Sequence, residues 1–91
     1  MTNADFEDLI RGAHLESDIV SPDGLWRVQK WAKLEELVYP FDLMDKTEKW
    51  ILIKRMTRLD NENPCVKIYT QKVQIGNWKR DPSLSDYIES F

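Results

Sequence analysis

His14 is the single histidine and Cys65 the single cysteine of this 91-residue sequence. By type they are the pair best equipped for nucleophilic chemistry, a thiol to attack and an imidazole to take its proton. Such a dyad needs a third group to orient the base and donors for a developing oxyanion, and nothing in the sequence marks either. The competing reading is a surface histidine after a first helix and a small buried thiol at the start of a strand. One histidine excludes a multi-histidine metal cluster. Asp5, Glu7, Asp8, Glu16 and Asp18 do not match a calcium loop, which needs oxygens at alternating positions around a central glycine and a closing glutamate. Glu35 and Glu36 are adjacent, so helix and strand alike would splay them, and the three glycines form no phosphate-cradling run. The expectation is a chain without catalytic residues, metal or cofactor.

The richest stretch for recognition is WILIKRMTRLDNENPCVKIYTQKVQIGNWKR, residues 50–80, where apolar, β-branched and basic residues interleave around a turn. Net charge is −3, unevenly spread. Residues 1–24 hold six acids against one base, or −5, whereas residues 46–80 hold nine bases against three acids, or +6. A local surplus of that size steers a partner where the total cannot. Lys54, Arg55 and Arg58 precede the turn, Lys67 and Lys72 follow it, and Tyr69, Trp78, Lys79 and Arg80 lie at or beyond the second strand. Cations along a groove with aromatic faces between them suit RNA or single-stranded DNA. The competing reading is a solvated strand face that keeps a sheet soluble and blunts its edge.

Four tryptophans, at 26, 31, 50 and 78, exceed the needs of a small core, since each buries a large area and wants a partner for its indole N–H. An exposed aromatic patch rimmed by Lys and Arg has the composition of a protein interface or a dimer face. On that reading Arg55, Arg58, Tyr69, Trp78, Lys79 and Arg80 are the candidate partner-binding residues.

The elements that must position these groups follow from periodicity. Phe6, Leu9, Ile10 and Ala13 recur at helical spacing, giving a helix over 3–13 with Gly12 as its weak point or stop. SPDG, residues 21–24, supplies a proline with fixed φ and a glycine free to take positive φ, hence a tight turn. Residues 25–33 are expected as a strand, although Leu25, Val28, Trp31, Leu34 and Leu37 also fit a helical stripe. The chain turns near Pro40, between 39 and 48. Residues 50–59 have two apolar faces, and VKIYTQKV is the clearest strand, paired to them through the loop DNENP. Val66, Ile68 and Thr70 hold one phase and Val73 and Ile75 the other, which a bulge at 70–72 would reconcile. Asp81 and Pro82 form a cap-plus-proline start, with Leu84, Tyr87, Ile88 and Phe91 on one helical stripe.

The predicted fold is α+β: one domain over 1–91, a three-stranded antiparallel meander over 25–75, with helices over 3–13 and 82–91 covering one face. The order helix, three strands, helix is similar to that of the double-stranded-RNA-binding domain. That family grips phosphates with a lysine-rich start of its last helix, and here the equivalent DPSLSDYIES is acidic and would repel them.

A chain of this length closes one core, and 42% apolar with 32% charged residues places it among ordinary globular proteins. A lone cysteine and the lack of a signal-length apolar run point to a reducing, cytoplasmic setting without membrane contact. A sequence beginning at Met1 without a targeting segment is expected to be a complete small protein. Its expected function is non-enzymatic binding of another protein bearing an acidic patch, as adaptor, regulator or inhibitor. The alternative partner is RNA or single-stranded DNA on hairpin 50–80, and a homodimer through edge strands is a third candidate.

Overall fold

The computed structural model describes residues 3–38, 46–60, 65–76 and 82–91. The element order is helix α1 (Asn3–Leu9), strands β1 (His14–Val20), β2 (Trp26–Val38), β3 (Thr47–Arg58) and β4 (Val66–Gly76), then helix α2 (Leu84–Ser90). The strands form one antiparallel sheet in the order β1-β2-β3-β4. The α+β class with a helix at each end therefore holds, with four strands in the meander where three were expected.

The added strand is HLESDIV. Its pairing with β2 shifts register between Leu15 and Ser17, a bulge at Glu16 that breaks the alternation from which strands are read. Leu15 and Val20 fall on one face and Ile19 on the other, and all three are exposed. Helix α1 stops at Leu9, four residues short of expectation. Turn hydrogen bonds carry the chain on, from the Ile10 N–H to the Phe6 carbonyl (3.0 Å) and from the Ala13 N–H to the Ile10 carbonyl (2.9 Å). Gly12 then takes φ +78°, a left-handed conformation that costs glycine little.

SPDG closes the β1–β2 hairpin as expected. The Gly24 N–H reaches the Ser21 carbonyl at 2.9 Å, Asp23 Oδ1 accepts from the Leu25 N–H at 3.0 Å, and Gly24 sits at φ +74°. Residues 26–38 are strand and not helix. β3 and β4 pair without interruption from Thr47↔Gly76 to Thr57↔Val66, so the bulge expected at 70–72 is absent. The sheet's other irregularity lies between Leu34 and Glu36. Ser83 is the N-cap of α2, in a reciprocal box with Asp86, so Pro82 precedes the cap; Asp81 lies outside the described residues. So do most of the expected direction change at 39–48 and of the DNENP loop.

The two phases of β4 coexist because both faces of the sheet are covered. Consecutive residues of a strand point to opposite faces, yet Leu52 and Ile53 are 1% and 0% exposed. On one face Ile53, Trp31 and Phe6 form a cluster joined by Leu9, Ile10, Ala13, Ile51 and Ile68, with the Phe6 and Trp31 rings edge to face at 5.3 Å. On the other face Leu52, Ala32 and Val73 pack with Trp50, Leu84, Tyr87, Ile88 and Phe91. Each helix thus has its own face. The expectation that both share one face fails because the two apolar faces of β3 each need a lid. The order also departs from that of the double-stranded-RNA-binding domain by the extra first strand.

Coverage is partial. A seven-residue helix is about 10 Å long, whereas the 13-residue β2 extends roughly 40 Å, and the molecule measures 55 × 29 × 15 Å. Neither helix can roof its face from end to end.

Truncating the hinge of this arrangement should be costly on both faces. Leu52→Ala and Ile53→Ala should each lose about 2–5 kcal/mol, read as a lower urea midpoint. In the Leu52 variant α2 resonances should shift most in an NMR spectrum, and in the Ile53 variant those of α1.

Candidate partner-binding face

The registers place side chains in rows across the sheet. On the α2 face one end holds Leu34, Trp50 and Val73, then Ala32, Leu52 and Gln71, and α2 sits on these rows. Trp50 is half-buried here, its indole N–H donating to Glu48 Oε2 at 3.0 Å. The next row, Lys30, Lys54 and Tyr69, meets the C-terminal end of the helix. Lys30 Nζ donates to the Ile88 carbonyl at 2.8 Å, and Lys54 Nζ donates to the Phe91 carbonyl. Cations suit this end, where the last carbonyls lack intrahelical donors. Burial, and then the neighbouring Lys54 charge, hold the Lys30 ammonium below its ordinary pKa.

Beyond that row no described element covers the sheet. Ile19, Val28, Met56 and Lys67 share the following row, and Trp26 and Arg58 the last. Tyr69 and Ile19 are 44% and 58% exposed, while Trp26, Val28 and Met56 are half-buried. The Trp26 ring has two cations over it, the Arg58 guanidinium at 5.2 Å and Lys67 Nζ at 5.3 Å. Lys54 Nζ similarly lies 5.2 Å from the Tyr69 ring and 4.9 Å from that of Phe91. The result is an aromatic and aliphatic strip with a basic rim.

Of the residues singled out in the sequence, Arg58 and Tyr69 lie on this strip. Arg58 is held by Asp60, Nε to Oδ1 at 2.6 Å and Nη2 to Oδ2 at 2.8 Å, which raises its pKa and lowers that of the carboxyl. Arg55 is on the opposite face. Its guanidinium stands 4.4 Å from the Phe6 ring and 5.4 Å from that of Trp31, and Nε and Nη2 donate to Gln29 Oε1 at 3.1 and 2.6 Å. Gln29, buried, passes the chain on to Asp18 Oδ2 at 3.3 Å, and Asp18 takes both arms of Arg27. Arg55 therefore belongs to the packing beneath α1. Trp78, Lys79 and Arg80 lie outside the described residues. Lys54 and Lys67 stand in the sequence only among the hairpin cations and Trp26 only among the surplus tryptophans, because their meeting depends on the register, which no local pattern discloses.

The basic segment is largely answered by carboxylates within the chain. Lys49 meets Glu36 at 3.3 Å, Lys72 meets Glu35 at 3.6 Å and Lys46 meets Glu48 at 3.1 Å. Among the described residues Lys67 has no carboxylate partner. His14 and Cys65 are both exposed, so the thiol expected to be buried is not. His14 pairs with Ala32, opposite Leu52, whereas the Cys65 carbonyl accepts from the Arg58 N–H. The two are thus some six residues apart along β3, roughly 20 Å at strand rise. Among the described residues no three His, Cys, Asp or Glu side chains are grouped to hold a metal.

Two outcomes follow. Arg55→Ala should cost about 1–3 kcal/mol of stability through the lost ring stacking and hydrogen bonds, measured by urea unfolding. Acid should also destabilise the fold. Asp18 is held below the usual carboxylate pKa by Arg27, Asp23 by the Ser21 hydroxyl, Glu48 by the Trp50 indole and Asp60 by Arg58. Groups depressed in the folded state stabilise it above their unfolded pKa and lose that contribution as pH falls through the folded one. The thermal midpoint should be flat from pH 6 to about 5 and fall below about pH 4, less steeply in Asp18→Asn.

No family model, curated protein or solved structure matches this chain.

Proposed function

We propose that this chain is a small non-enzymatic binding module, an adaptor, regulator or inhibitor, which engages another protein through the uncovered half of its α2 face. The observation that carries the reading is the Trp26 ring flanked by Arg58 and Lys67, continuous with the exposed side chains of Tyr69 and Ile19. Aromatic anchors supply the desolvation energy of an interface, and a cationic rim sets orientation and on-rate toward an acidic surface.

The ion pairs of Lys46, Lys49, Lys72, Arg27 and Arg58 favour this over RNA or single-stranded DNA, since cations already committed to carboxylates release fewer counterions from phosphate. The exposed thiol of Cys65 fits a reducing compartment such as the cytoplasm, and among the described residues no helix is long and apolar enough to cross a membrane.

Affinity capture with the wild-type chain and with Tyr69→Ala and Lys67→Glu tests the proposal. A discrete protein that survives nuclease should be retained by the wild type. It should bind Tyr69→Ala about thirtyfold more weakly if Tyr69 is a hot spot of about 2 kcal/mol. Loss of all captured material on nuclease treatment, with affinity falling linearly in log salt, would overturn it in favour of nucleic acid.

A further inference from the structure

The two edges of the sheet are built differently. β1 bulges at Glu16 and carries Glu16 and Asp18, both devices by which an edge strand is kept from pairing with another chain. β4 has none of these. It is 11 residues long, holds unbroken register with β3, and contains no proline and no acid. Its two charged residues are lysines, Lys67 and Lys72, both exposed and both in contact across β3. Lys67 crosses β3 to lie over the Trp26 ring of β2, and Lys72 crosses it on the other face to Glu35 of β2. From Val66 to Ile75 the outer edge presents alternate N–H and C=O groups, and among the described residues no strand pairs with it.

We propose that the outer edge of β4 accepts an extended acidic segment of the partner as a fifth, antiparallel strand. This rests on the partner-binding reading and specifies its mode. Backbone hydrogen bonds along Val66–Ile75 supply sequence-independent affinity, and side chains of alternate phase supply choice. One phase of the incoming strand continues the row of Lys67, Tyr69 and Gln71, so that it extends the aromatic strip, and the other lies beside Ile68, Thr70 and Lys72. Acidic residues are selected because the β4 strand is net positive and Lys67 has no carboxylate partner among the described residues.

The test uses the whole ¹⁵N-labelled chain with two synthetic decapeptides, one alternating glutamate and valine and the other lysine and valine. The glutamate peptide should slow amide exchange at alternate positions of 66–76 by tenfold or more, leaving β1 unchanged. Lys67→Glu with Lys72→Glu should weaken it at least tenfold and confer binding of the lysine peptide. Shifts confined to Trp26, Met56 and Tyr69 with β4 exchange unaltered would overturn strand addition while leaving the binding face intact. Equal binding of both peptides, binding of neither, or β4 protection that depends on protein concentration without peptide would also overturn it. Affinity capture with Tyr69→Ala judges the broader reading independently.

Discussion

Everything in this fold depends on two successive side chains, Leu52 and Ile53, both withdrawn from water in the middle of one strand. Pleating sends them to opposite faces, so a sheet with a single cover cannot satisfy them. The chain solves this with one short helix before the sheet and another after it, each roofing one side of β3. A helix of two turns is only marginally stable alone, so α1 and α2 owe their existence to the apolar stripes that they lay on the sheet, and the sheet owes its dry centre to them. The strands were built longer than their roofs, and the surplus length becomes surface.

Charge is arranged on the same rows. The cations of residues 46–80 have the types of a stripe for phosphates, yet most of the described ones are drawn into contacts within the chain: with Glu35 and Glu36 of β2, with Glu48 and Asp60, with Gln29, and with the Phe91 carbonyl at the end of α2. In the acidic first helix Asp8 pairs locally with Arg11. What is left facing solvent is a strip of mixed aromatic, aliphatic and basic character.

Much of the fold was legible locally and much of the site was not. VKIYTQKV, SPDG and the two terminal stripes disclosed themselves because the signal for each lies within a few residues. β1 stayed hidden because a bulge at Glu16 destroys its alternation, and the N-cap moved from Asp81 to Ser83 because serine with Asp86 three residues on makes the better box. The two phases of β4 were read as a flaw needing a bulge when they were the mark of a strand buried on both sides. The meeting of Trp26 with Arg58 and Lys67 is a matter of register across three strands, and the stacking of Arg55 on Phe6 and Trp31 is hidden because those rings are distant in sequence.

Lys30 and Lys54 stand directly opposite each other on neighbouring strands, an arrangement that opposes pairing of β2 with β3 until carbonyls from residues 88 and 91 arrive to receive them. Because α2 follows the whole sheet in the chain, those acceptors are synthesised after both strands. A nascent sheet that emerges from the ribosome before α2 thus carries two opposed ammonium groups at its centre, which α2 then receives. Maturation of the central strand pair is thereby timed to the completion of the sequence that follows it.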